Sequence, residues 1–178
     1  HATEVDMGYF DSRARLNPPL RQQADRTALR AALADGTIDA LVSDHNPIDE
    51  DAKVLPFAEA EPGATGVELL LALALKWAQE DGVPLLQALG TVTSRPAAVL
   101  GDALGTLSAS AGQIVPGGVA DLCVWDPAVE WAVEAQELVS QGKHTPFEGV
   151  RLQGRVRATV VDGQVAYEAE RNRVAQPA

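Results

Sequence analysis

The sequence predicts an α/β fold in two parts: a β/α unit of a barrel or doubly wound sheet, followed by a second, all-β module. Three observations predict it. A short apolar run, Ile38 to Val42, ends in the polar cluster Ser43-Asp44-His45-Asn46-Pro47. A long apolar helix pattern begins soon after, at Thr65 or Gly66. Near Gly105 the pattern changes to short strands punctuated by glycine. The first part is therefore assigned to residues 1–104 and the second to 105–178.

Taken in order, His1 to about Arg21 is irregular and ends in the stiff stretch Asn17-Pro18-Pro19-Leu20-Arg21. Ala28, Leu29, Ala32 and Leu33 recur at helical spacing, which predicts a helix over 22–34, stopped by Asp35-Gly36. The run Ile38 to Val42 reads as a buried strand. A charged loop occupies Asp49 to Gly63, and the helix beyond it runs through Gln79 with apolar residues nearly all round, so it should be largely buried. Pro84 to about Thr91 and Pro96 to Leu100 complete the helical part. The second module should contain strands at Gln113–Val115, Asp121–Trp125, Glu130–Val133, Val156–Val161 and Gln164–Tyr167. The last two are joined by the hairpin dipeptide Asp162-Gly163.

Composition narrows the function. The chain has 178 residues, 46% of them hydrophobic, enough for a real core. Its 14 basic against 25 acidic residues leave a net charge of −11, which repels phosphate backbones and argues against nucleic acid as a partner. The longest apolar stretch, Val67 to Ala78, is broken by Glu68 and Lys76 and is too short to cross a bilayer. The single cysteine, Cys123, excludes an internal disulfide framework, suits a cytoplasmic setting, and reads as a buried strand residue in Leu122-Cys123-Val124-Trp125. The first residue is His1 and no signal peptide is visible, so the start is expected to be a cut.

Chemistry concentrates at Asp44. A carboxylate at the C-terminal end of a barrel strand lies on the face where such barrels place their sites, and it can bind a metal and take a proton from an attacking water. The competing reading is a turn cap, common for Asp after a strand. His45, adjacent in sequence, should diverge from the same pocket and is read as structural. His1 and His144 stand alone, and no HxH, HExxH or CxxC spacing occurs, so no complete metal site can be assembled from this chain. Asp49, Glu50, Asp51, Glu59 and Glu61 read as a solvated acidic loop, with a lid hinged at Gly63 and Gly66 as the alternative. Gly105-Thr106-Leu107 and Gly117-Gly118 precede no helix and no GK[ST], so a phosphate loop is rejected.

Four segments carry a resemblance. Gly112 to Asp126, GQIVPGGVADLCVWD, resembles the accessory β-sandwich signature of the amidohydrolase superfamily. Asp35 to Pro47, DGTIDALVSDHNP, resembles the final barrel strand of type I dihydroorotases. Leu16 to Arg21, LNPPLR, is similar to their preceding loop, and Ser140 to Gly149, SQGKHTPFEG, to a late dihydroorotase and allantoinase-type segment. The resemblance implies the C-terminal part of a (β/α) TIM-type barrel followed by part of a small all-β sandwich. It implies zinc-dependent interconversion of carbamoyl-aspartate and dihydroorotate, with Asp44 as metal ligand and acid/base. Asn17 would contact substrate, and the backbone at Pro62 and Gly63 would line the pocket.

The family's remaining zinc ligands and its substrate arginine have no counterpart in this chain, so zinc is expected in a full-length parent and not on this chain alone, which should be inactive by itself. The family's DHAPH also reads Asp44-His45-Asn46-Pro47-Ile48 here, and isoleucine cannot hydrogen-bond a substrate carboxylate. Two readings follow: a cyclic amidohydrolase acting on a small molecule, or a non-catalytic dihydroorotase-like scaffold for aspartate transcarbamoylase. A hydantoinase or allantoinase is the weaker third. A homo-oligomer is expected, because a partial barrel leaves strand edges unpaired.

Overall fold

The computed structural model describes residues 1–169. Five α-helices come first: α1 (Gln23–Asp35), α2 (Glu50–Lys53), α3 (Leu70–Asp81), α4 (Leu85–Gly90) and α5 (Ser94–Leu100). Three strands, β1 (Leu122–Ala132), β2 (Arg151–Val161) and β3 (Gln164–Glu168), then form one antiparallel sheet in the order β1-β2-β3. Asp35-Gly36 and Asp81-Gly82 stop α1 and α3, as the sequence suggests. A single 3-10 turn, Val67–Leu69, leads into α3, so the apolar pattern from Thr65 begins as a tighter coil.

Helix α3 is central because it is apolar on two faces. One face sets Ala72 and Leu73, with Leu69 of the preceding turn, against Val133, Leu138 and Leu152, joining the helix to the sheet. The other sets Trp77 and Ala78 against Leu33 of α1 and Ala88 of α4, with Ile38, Leu41 and Val83 packed around them. Arg30 adds a polar tie between α1 and the end of α3, at 2.5 Å from Glu80 and 2.8 Å from Asp81. These pairs are partly solvated, so their net worth is under about 1 kcal/mol each. Apolar packing orients the helices.

Several expectations are corrected. The run Ile38 to Val42 is not a strand: it has no regular secondary structure and joins no ladder, and Val42 is 72% exposed. A strand needs a neighbouring strand to satisfy its backbone, and here the partners lie outside any strand: Ile38 N donates to Ala32 O at 2.9 Å and Leu41 N to Thr91 O at 3.0 Å. Gln113 to Val115 is likewise no strand; local turns such as Gly118 N to Val115 O hold it, and Ile114 is exposed. The two strands read at 121–125 and 130–133 are one, β1, paired from Leu122↔Val160 to Ala132↔Arg151 with register breaks after Val124 and Asp126. Pro127 cannot donate to a ladder and the Asp126 carboxylate caps Ala128 N, so the interruption is a bulge within one strand.

Strand β2 begins five residues before Val156, because pairing with β1 carries the polar stretch Arg151 to Arg155 into the sheet. The hairpin to β3 turns at Asp162 (φ 47°) and Gly163 (φ 74°), both left-handed as a type I′ turn requires. Cys123, expected to be buried, is exposed. What burial the thiol retains raises its pKa, the opposite of an activated nucleophile.

Candidate active site

The irregular segment after α1 leads to Asp44, whose φ of 45° places a non-glycine residue in the left-handed region. Aspartate tolerates this better than most side chains, and residues held there cluster at functional sites. The Asp44 side chain is exposed and takes no hydrogen bond among the described residues. A cap would have its carboxylate occupied by a backbone N–H, so the capping reading does not hold for Asp44.

The cap is His45. Its Nδ1 accepts from Gly66 N at 3.1 Å and Val67 N at 3.4 Å, the open amides where the 3-10 turn and α3 begin. This imidazole is engaged in fixing the start of the turn into α3, in line with the structural reading of the sequence.

Two neighbouring segments are fastened, directly or in series, to the Asp44 loop. Asn46 donates from its backbone to Ala64 O at 3.0 Å and from Nδ2 to Pro62 O at 3.2 Å. Gly63 N donates to Arg15 O at 3.0 Å, which brings in the loop containing Asn17. Gly63 is closely enclosed: a Cβ there would lie 2.6 Å from Asn46 Nδ2 and 2.9 Å from Ile48 Cδ1, and φ is 148°. Gly66 has equally little room, 2.9 Å from Ser43 O for a Cβ. Both positions therefore require glycine. The structure thus brings Asp44, Pro62 and Gly63 onto adjoining segments. Asn17 is exposed at the rim, next to a cis Asn17–Pro18 peptide.

The late segment 138–147 closes the back of this arrangement. The Glu68 carboxylate accepts from Val139 N and Ser140 N, both at 2.9 Å, and Thr65 N donates to His144 O at 2.8 Å. The Thr65 hydroxyl donates to Gly142 O. Gly142 packs on Pro47 and Ile48, and Ile48 is 8% exposed. The position where the resemblance leads one to expect histidine is therefore filled by a buried aliphatic side chain against the Gly63 wall.

Sequence reasoning missed two groups here. Lys53 lies inside what reads as a solvated loop, yet it is buried; burial, with Arg15 beside it, lowers its pKa. The flanking acids Glu50, Asp51, Glu59 and Glu61 are exposed as expected. Burial and, after it, the charge of Lys53 also lower the pKa of His144, whose Nε2 is enclosed and unpartnered among the described residues. The unfolded chain takes up that proton near 6.5, the folded chain only at lower pH. Acidification through that window therefore favours unfolding. The H144Q variant is expected to flatten the slope of stability against pH just below 6.5 in denaturant titrations; an unaltered slope would assign the acid sensitivity elsewhere.

For a metal, the donor set is short. Among the described residues no group of three His, Cys, Asp or Glu side chains converges, and zinc takes about three or four protein ligands. Asp44 is free to serve as one ligand, but this chain alone does not make the centre. No helix among the described residues is long and apolar enough to cross a membrane.

Comparison with known proteins places these features. A model described as "Amidohydrolase family" matches residues 1–167. A dihydroorotase of Geobacter sp. (strain M21) is 44% identical over 160 residues, 90% of this chain and 36% of the relative. A "Dihydroorotase-like protein" of Pseudomonas putida is 40% identical over 168 residues, 94% of this chain and 38% of the relative. Among solved structures, a D-hydantoinase aligns with a TM-score of 0.81 at 26% identity, covering 94% of this chain and 37% of its own. A Thermus sp. D-hydantoinase aligns at 0.77 and 27%, covering 88% of this chain and 34% of its own. The chain spans little more than a third of the length of the relatives it matches.

Proposed function

Since this chain belongs to the amidohydrolase family and is dihydroorotase-like, we propose that it forms the C-terminal part of a cytoplasmic, zinc-dependent cyclic amidohydrolase that interconverts carbamoyl-aspartate and dihydroorotate. Residues 1–104 would complete a (β/α) TIM-type barrel with chain supplied by the rest of the protein, and 105–178 would belong to the accessory β-sandwich. The observation that carries the reading is Asp44: a strained, exposed and unpaired carboxylate at the mouth of the loop cluster. Its role is to take a proton from water as it attacks the ring amide carbon, and to return a proton to the leaving nitrogen. Pro62 and Gly63 offer backbone on the segment bonded to Asn46, two residues from Asp44, and Asn17 supplies an amide to the ring. The remaining zinc ligands have to come from outside this chain.

A second reading is favoured by one observation. Ile48 fills with a methyl surface the position where the resemblance calls for a histidine on the substrate carboxylate, a loss of about 1–3 kcal/mol of binding. This supports a non-catalytic scaffold that assembles with aspartate transcarbamoylase, as a homo-oligomeric partner. A hydantoinase-type substrate, lacking that carboxylate, is the weaker variant.

The two are separated by assaying the full-length protein with zinc, using dihydroorotate and carbamoyl-aspartate. Turnover that disappears on chelation and returns with zinc is expected of the enzyme. No turnover of either compound in a zinc-loaded, folded protein, together with stable association with aspartate transcarbamoylase, would establish the scaffold instead.

A further inference from the structure

We infer that Lys53 is the positioning residue of the mouth, its buried ammonium locking the loop that leads to Asn17 against the loop that holds Pro62 and Gly63. The inference rests on the reading of this mouth as a substrate site. A lysine ammonium is almost never fully buried unless paired with a carboxylate. Lys53 is 2% exposed and forms no salt bridge among the described residues. Its partners are two backbone carbonyls of a single loop, Ser12 O at 3.2 Å and Arg15 O at 3.0 Å. The Ser12 hydroxyl returns a hydrogen bond to Lys53 O.

Arg15 O is the junction. It receives the ammonium and the Gly63 amide, each at 3.0 Å. From Gly63 the bonds continue through Pro62 O and Ala64 O to Asn46, two residues beyond Asp44. One continuous series of bonds therefore runs from α2, through the segment two residues before Asn17, to the loop bearing Asp44. A buried methionine would fill the same volume without the desolvation cost of an ion, so stability alone does not account for a charge here. What an ammonium supplies and a methyl cannot is simultaneous donation to two carbonyls, fixing the curvature of residues 12–15.

The test is residue-resolved amide hydrogen exchange on the full-length protein and its K53M and S12A variants. K53M is expected to accelerate exchange at Gly63 by about tenfold or more, with the amides of Leu73 and Trp77 in α3 changing by less than about twofold. Unchanged exchange at Gly63, or equal acceleration in α3, overturns the inference. Should K53M fail to fold, S12A decides: roughly threefold faster exchange at Gly63 with α3 unmoved supports it, and no change overturns it. In the full-length protein, K53M should raise KM about tenfold with kcat within about threefold, and K53R should restore part of the loss; an unaltered KM in an active enzyme removes the positioning role. If the wild-type protein turns over no cyclic amide, the functional reading fails by itself, and the exchange result still decides whether Lys53 holds the two loops together.

Discussion

Replacing Asp44 with asparagine is expected to lower kcat of the full-length protein by about 10²–10⁴-fold, the usual worth of a positioned proton acceptor. The substitution is chosen for what it leaves alone. Asparagine tolerates the left-handed backbone at this position as well as aspartate does, whereas alanine would add strain of about 1 kcal/mol or more. The side chain is exposed and holds no other residue in place, so the melting temperature of the 178-residue chain should move by no more than about 2 °C. Loss of turnover with the fold intact identifies a chemical role. Retained turnover in D44N would remove Asp44 from the chemistry and the proposed mechanism with it.

The largest effect on stability is expected at Trp77. Its side chain is 2% exposed and fills the space between α1, α3 and α4, against Leu33, Ala78 and Ala88. W77A should cost about 3–5 kcal/mol, transfer and cavity combined. A domain holds about 5–15 kcal/mol in all, so this variant should be close to unfolding at 37 °C. W77F is a sharper comparison. Trp77 Nε1 is buried without an acceptor among the described residues, and an unmet donor costs about 1–3 kcal/mol. Phenylalanine gives up volume but also that penalty, so W77F should lose less than about 1.5 kcal/mol in urea titrations. Equal losses for the two variants would mean that the indole N–H is satisfied, or that the core collapses around either change.

Much of this was legible in the residues, for identifiable reasons. Helices α1 and α3 declare themselves by period and by the Asp-Gly pairs that end them. The hairpin is legible because Asp162-Gly163 is one of few dipeptides that accept two left-handed residues in succession. The run Ile38 to Val42 misleads because apolar content signals burial without saying what lies alongside; a strand is a property of two segments. Lys53 was illegible for the converse reason: nothing within Asp49 to Gly63 indicates that two carbonyls from residues 12–15 arrive there. Asp44 was legible as a candidate by its position after the run, but its backbone strain and unpaired carboxylate required coordinates. Ile48 was noticed as a departure, and only packing shows it turned inward against Gly63 and Gly142.

The interruption in β1 bears on how this chain behaves in concentrated solution. Leu122 and Val124 are exposed on the outermost strand, a composition that elsewhere seeds stacking between molecules. Growth of that kind needs a long flat rim of alternating donors and acceptors. Pro127 withholds a donor midway, and the two register breaks interrupt the rim, so an incoming chain would find only short stubs such as 122–124 and 130–132 to copy. A kinked rim of this kind disfavours fibril growth on an oily surface, and replacing Pro127 with a β-branched residue is expected to increase aggregation.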